Sequence, residues 1–172
     1  LSIATVSLVL AGSALATGCG DDDSDDSQQI NVITTGTQLT EIDNGPTGPS
    51  EGDVNVFRSP LAFADGGESA GTLFGIQTTV SLDDKTEVVQ ASFTYKLADG
   101  TISIGGLGEY PRGENALVEG QEFERPVIGG TGKYSDASGT DTTVLNPDGQ
   151  YEHEINLEGG PNDPRLLHFR RE

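Results

Sequence analysis

The chain has 172 residues, 33% of them hydrophobic and 6% aromatic, with 24 Gly and neither Trp nor Met. With the ends set aside that is one domain, whose core must come from Val, Ile, Leu and Phe in short strands and turns rather than helices. Twenty-eight acidic residues against nine basic ones give a formal net charge of −19, which excludes a nucleic-acid partner and attraction to an anionic bilayer surface, since both need clustered Lys and Arg.

In chain order, Leu1 to Ala16 is uncharged and apolar but too short to span a bilayer comfortably; it resembles the h-region of a secretory signal lacking its basic n-region. Thr17 and Gly18 lead to Cys19, the only cysteine, which rules out an intrachain disulfide. The run A-T-G-C resembles a bacterial lipobox with Ala16 where Leu is usual. On that reading residues 1–18 are a truncated signal peptide and Cys19 carries a diacylglyceryl group. The expectation is therefore an exported protein of the bacterial cell envelope, membrane-bound through that lipid alone. The alternative is a transmembrane anchor, or an ordinary signal with an incidental cysteine. Gly20 to Gln29 holds five Asp and no apolar residue, too little buriable surface to offset its ordering entropy, so residues 19–29 read as a lipidated Cys on a solvated tether. The segment lacks the glycine and closing Glu of an EF-hand loop.

From Ile30 to about residue 160 the periodicity is that of strands. Phe74, Ile76, Val80 and Leu82 alternate with Leu73, Gly75, Gln77, Thr79 and Ser81, and the former set reads as the apolar face. Val89, Ala91, Phe93, Tyr95 and Leu97 repeat the pattern, and Ala98-Asp99-Gly100 is a hairpin signal returning through Ile102 and Ile104. Residues 111–120 read as a loop, 122–128 as a strand and 140–145 as another; Asn146-Pro147-Asp148-Gly149 turns the chain into Tyr151, His153, Ile155 and Leu157. Residues 161–172 are a basic tail or an edge strand. Seven or eight short strands at this spacing make a sandwich or a closed barrel.

Between two of these strands lies R-P-V-I-G-G-T-G-K-Y-S-D-A-S-G, Arg125 to Gly139. Val127 and Ile128 read as a strand end, and Gly129, Gly130 and Gly132 suit a sharp corner with positive φ or close strand approach, with Tyr134 packing beneath. A phosphate loop is the rival reading, but no Lys-Ser/Thr pair is present and no amphipathic helix follows. His153 and His168 are the only histidines; no nucleophile elbow is present and no second His stands at zinc-ligand spacing, so neither triad catalysis nor a metal site is expected. His153 reads as a strand-face residue. Glu41 and Asp43, two apart, share a strand face; in a low-dielectric barrel mouth one of them would hold a proton and serve as an acid, whereas on a solvated edge both are ordinary surface acids. Arg58 reads as a partner for a ligand carboxylate or as a surface charge.

The glycine segment resembles the G-G-T-G segment of the dirigent and allene oxide cyclase-like barrel families. Upstream, Gly52-Asp53 to Phe57, Leu61 to Gly66 and Gly71 to Gln77 resemble their ordered motif series, and Asp99 to Gly106 their hairpin and following strand. The resemblance covers roughly residues 39 to 158 and departs at Ser138, where the families carry Arg. It implies an all-β, calycin-like fold: an antiparallel eight-stranded barrel, assembled as a homotrimer, with an apolar cavity for a small apolar or aromatic ligand and no cofactor. The implied activity is that of an isomerase or cyclase, or of a stereo-directing protein; a binding module without turnover and a structural surface barrel are the alternatives. Carried over residue by residue, the family's epoxide-opening carboxylate falls on Glu41, its amide on Asp43, an asparagine on Ser59, a cysteine on Gln77 and a tyrosine on Gly108, with Tyr110 two residues on and on the same face. Glu41, Asp43 and Tyr110 are thus the candidate catalytic residues, with Ser59, Gln77, Phe74, Phe93 and Tyr95 as ligand contacts. If Phe74, Ile76, Phe93, Tyr95 and Ile104 together fill the interior, no cavity remains.

Overall fold

The computed structural model describes residues 27–112 and 117–158, so Cys19, the acidic run and the tail from residue 161 lie outside it. Its regular elements are nine strands: β1 (Gln28–Thr34), β2 (Gln38–Ile42), β3 (Val54–Phe63), β4 (Ser69–Leu82), β5 (Thr86–Leu97), β6 (Gly100–Pro111), β7 (Glu122–Gly132), β8 (Ser138–Leu145) and β9 (Tyr151–Glu158). From β3 to β9 each pairs antiparallel with the next. β3 also pairs with β1 through Leu61–Phe63 and with β2 through Val54–Arg58, so β1 and β2 form one stave broken at Thr35-Gly36-Thr37. Because β1 pairs with β9 as well, the first stave meets the last and an eight-stranded antiparallel barrel closes. Closure leaves few unpaired edges. β1 begins inside the expected tether, because Gln28 and Gln29 pair with Leu157 and Asn156.

The turns follow the sequence. Leu97 faces Gly100 across Ala98-Asp99, and Gly149, at φ 75°, completes the Asn146 turn. β7, however, continues past Ile128 to Gly132. Ser103 faces Gly129 while Ile104 faces Val127, so Ile128 is the extra residue of a β-bulge, turned outward, and the strand bends there. A Cβ on Gly130 would meet the carbonyl oxygens of Thr101 and Tyr134, which is the close approach that glycine permits, and Tyr134 is buried in the core below.

One end of the barrel is filled. Ile30, Val32, Leu61, Tyr95, Ile102, Ile104, Ile155 and Leu157 form a continuous apolar plug, and each large aliphatic side chain there contributes about 1.5–3 kcal/mol by leaving water. At the other end a smaller cluster gathers Val89, Tyr110, Leu117, Phe123, Leu145 and Tyr151. β5, β6 and β9 turn their expected faces inward. β4 does not: Leu73, Gly75, Gln77 and Thr79 face the interior, whereas Phe74 and Ile76 are 42% and 50% exposed on the outer wall. The reason is steric. Gly75 lies against the Phe57 ring, where even a Cβ would collide, so no bulky side chain fits at that position.

Candidate functional site

Between plug and mouth cluster the barrel is hollow, with a cavity of about 230 Å³. Alternation along each strand decides what lines it. β2 contributes Leu39 and Glu41, β3 Asn55, Phe57 and Ser59, β4 Leu73 and Gln77, β5 Phe93, β6 Tyr110, β7 Arg125, β8 Thr143 and β9 Tyr151 and His153; Leu117 adds to the wall from the β6–β7 connection. The inversion of β4 makes this space, since Gly75 and Gln77 stand where Phe74 and Ile76 were expected.

One side of the wall is organised by Arg125, a buried guanidinium. Its charged carbon lies 4.3 Å from the centre of the Phe123 ring and 4.9 Å from that of Phe93, so aromatic faces replace part of its hydration. It donates a hydrogen bond to the Tyr110 hydroxyl, and Tyr110 stacks on Phe123 at 5.8 Å. The Gln77 amide also reaches that hydroxyl, at 3.5 Å. Because its oxygen accepts from Arg125 and Gln77, the Tyr110 hydroxyl hydrogen is left free to point at a ligand.

Next to the plug a second polar group adjoins this one, since Asp141 is the cross-strand partner of Arg125. The Tyr95 hydroxyl donates to Asp141 Oδ2 at 3.0 Å and lies 2.7 Å from His153 Nδ1; the Thr143 hydroxyl donates to the same carboxylate oxygen at 3.3 Å and lies 3.1 Å from Nδ1. All four residues are buried. Burial pushes the Tyr95 hydroxyl well above the ordinary tyrosine value, and the Asp141 charge adds to this, so Tyr95 remains a donor. Burial likewise raises Tyr151, with nearby Tyr110 adding.

The expected site residues divide. Glu41, Tyr110, Ser59, Gln77 and Phe93 come together on the cavity wall, Ser59 with its hydroxyl 2.8 Å from that of Thr37. Tyr95 lies behind the wall, in the polar cluster. Phe74 is outside the barrel. Asp43 does not share the mouth with Glu41: β2 ends at Ile42, alternation stops, and the Asp43 carboxylate accepts from Gly45 N in an exposed turn. Arg58 is also outside, with its guanidinium carbon 6.0 Å from the Phe74 ring centre. Among the described residues no group of His, Cys, Asp and Glu is arranged to hold a metal. Arg125, Asp141, Thr143, His153 and buried Glu87, which accepts from Thr79 Oγ1, are the residues that sequence reasoning missed. Their signal was phase: each is an even number of residues from an apolar residue turned inward on its own strand, Val127, Ile155 and Val89 among them.

The family model described as the allene oxide cyclase barrel-like domain matches residues 33–157. No curated protein matches the chain. Among solved structures, a pyocyanin demethylase superposes with a TM-score of 0.60 at 22% identity, over 76% of this chain and 98% of the other. The Diels Alderase AbmU from Streptomyces koyangensis gives 0.63 at 19%, over 83% and 71%, and the pterocarpan synthase dirigent protein GePTS1 gives 0.54 at 19%, over 81% and 91%. At these identities the likeness is one of fold. The closed eight-stranded barrel and the match over residues 33–157 together establish that the chain belongs to the allene oxide cyclase barrel-like family.

Proposed function

We propose that the barrel encloses a small, largely apolar molecule carrying a carbonyl-type acceptor and directs its isomerisation or cyclisation by confinement. The observation that carries this reading is the hollow itself, walled by Phe57, Leu73 and Phe93, with the Tyr110 hydroxyl and Arg125 on the same wall. Confinement that selects one near-attack conformer lowers a unimolecular barrier without a nucleophile, and a donor fixed on the acceptor oxygen stabilises charge that develops there. At about 230 Å³ the cavity falls below the usual range for drug-sized ligands, roughly 300–1,000 Å³, which favours a compact guest. Glu41 stands on exposed β2 at the mouth, which favours a mechanism of shaping over one of carboxylate acid catalysis. The Diels Alderase and the dirigent protein named among structures of this fold are consistent with it.

The same reading includes a lipid anchor at Cys19, supported by the A-T-G-C run and the acidic segment after it, and assembly of three copies, supported by the apolar outer face of β4. Detergent phase partition tests the anchor: the intact protein is expected in the detergent phase and Cys19→Ser in the aqueous phase, and wild-type protein already in the aqueous phase removes it. For the cavity, the absence of Trp makes Leu39→Trp at the mouth a clean reporter. Naphthalene titrated into that variant is expected to change its emission saturably with one site per chain, and Ser59→Leu added to it is expected to abolish the change. Wild-type protein from its own host should retain a small molecule in native mass spectrometry. An emission that does not respond, together with an empty barrel, would defeat the enclosure reading.

A further inference from the structure

The geometry points to Gly108 as the residue that seats the Tyr110 hydroxyl on Arg125, and through that hydroxyl makes the hollow prefer a guest with a carbonyl-type oxygen to a hydrocarbon of the same shape. This rests on the enclosure proposed above and names the position on which its choice of guest turns.

Gly108 and Tyr110 are both buried on the inward phase of β6. Backbone conformation does not demand glycine at 108, which is not one of the glycines held at positive φ. What demands it is the space above its Cα. A Cβ there would lie 2.9 Å from Tyr110 Cε2 and 3.0 Å from both the Tyr110 oxygen and Arg125 Nη2, the two atoms joined by the hydrogen bond that Arg125 donates. Tyr110 thus folds back along its own strand, and its bond with the guanidinium is made directly over Gly108. Non-bonded carbon contacts settle at roughly 3.5–4.0 Å, so any side chain at 108 must displace one partner or both. Gly100, Gly105 and Gly106 on the same strand border Thr131, Ile128 and Pro126 instead; Gly108 borders two groups that line the hollow.

Tyr110 and Arg125 both pack against Phe123, at 5.8 and 4.3 Å, which holds them side by side, and a Cβ wedged in at 108 would part them. Parting matters because a hydroxyl whose oxygen accepts from a cation is the stronger donor. The atoms that must yield are the far ends of two side chains rather than backbone, so Gly108→Ala is expected to fold. Gly108 does not itself act on the guest; it is a positioning residue that works through Tyr110.

Acetophenone and its carbon isostere α-methylstyrene share a shape and differ in the acceptor oxygen. Isothermal titration calorimetry gives the ratio of their affinities, in which any change common to both cancels. Gly108→Ala is expected to lower that ratio in favour of α-methylstyrene by roughly fivefold to tenfold, the equivalent of one hydrogen bond, and Tyr110→Phe by a similar factor. In protein already carrying Tyr110→Phe, Gly108→Ala should leave the ratio where it stands, because no hydroxyl remains to be seated. The infrared carbonyl stretch of bound, isotope-labelled acetophenone reads the contact directly: it should lie below its value in hexane for wild-type protein and move back toward that value in Gly108→Ala. A ratio and a stretch that Gly108→Ala leaves unchanged overturn the inference, whatever Tyr110→Phe does, and leave enclosure standing. A Gly108→Ala protein that does not fold overturns it too, since the pair would then have been unable to yield. Wild-type protein that binds neither compound overturns enclosure, and the role of Gly108 with it.

Discussion

Arg125 is the residue whose burial most needs a physical account. A guanidinium taken out of water loses several kcal/mol of hydration, and here the replacement is two aromatic faces, the Tyr110 oxygen and a cross-strand neighbour of opposite charge, since Arg125 and Asp141 are partners in the β7–β8 register. Met has nearly the same reach without the charge. Arg125→Met is therefore expected to lower stability by about 2 kcal/mol, because Asp141 stays buried without the positive charge across the strand pair. A urea titration followed by circular dichroism measures this, and a midpoint equal to or above that of wild type would show that Asp141 does not depend on Arg125. The residue was within reach of sequence reasoning, because Phe123, Arg125 and Val127 alternate along a strand that the sequence did indicate. What hid it is that a charge in an inward phase is ordinarily taken as evidence that the phase points outward.

At the scale of the element, β4 teaches the complementary lesson. Its alternation is plain in the sequence, but the rule that the more apolar set is the buried one fails on it. That rule assumes a filled interior, whereas a barrel with a ligand cavity keeps small and polar residues inside and can leave apolar ones for a partner. β5 and β9 obeyed the rule because they also supply the plug, through Tyr95, Ile155 and Leu157. Two glycines on β4 separate folding from binding. A Cβ on Gly71, at φ 147°, would meet the Lys96 carbonyl, which is fixed backbone; a Cβ on Gly75 would meet the far edge of the Phe57 ring, a side chain with the cavity beside it. Gly71→Ala is expected to destabilise by about 1–3 kcal/mol. Gly75→Ala should fold with smaller loss and push Phe57 into the hollow, so that naphthalene binding weakens at least tenfold. Thermal denaturation and the Leu39→Trp titration read the two effects apart, and a Gly75→Ala protein that binds as wild type would mean that the Phe57 ring does not border the ligand.

For the whole molecule, strand count alone left sandwich and barrel open, because closure depends on pairings between β1 and both β9 and β3 that no local pattern encodes; the ordered glycine motifs supplied that choice through family resemblance. Closure also settles which surface is outside. On it Val56 lies opposite Ile76, and Phe74, Ile76 and Val80 follow along β4, a contiguous apolar strip in a chain of net charge −19. Such a strip on an acidic monomer would favour association, and a second and third copy of the chain are the occupants that the family resemblance implies. β4 is paired on both sides, so the contact must be made by side chains packing face to face rather than by strand addition. Light scattering on the purified barrel is expected to give three chains per particle. Ile76→Glu places a charge in the middle of the strip, away from the cavity, and should return a monomer with an unchanged circular dichroism spectrum, since the residue already faces solvent in the single chain. Wild-type protein that is monomeric at micromolar concentration would rule out the trimer, and the apolar strip of β4 would then have to be covered by something other than its own kind.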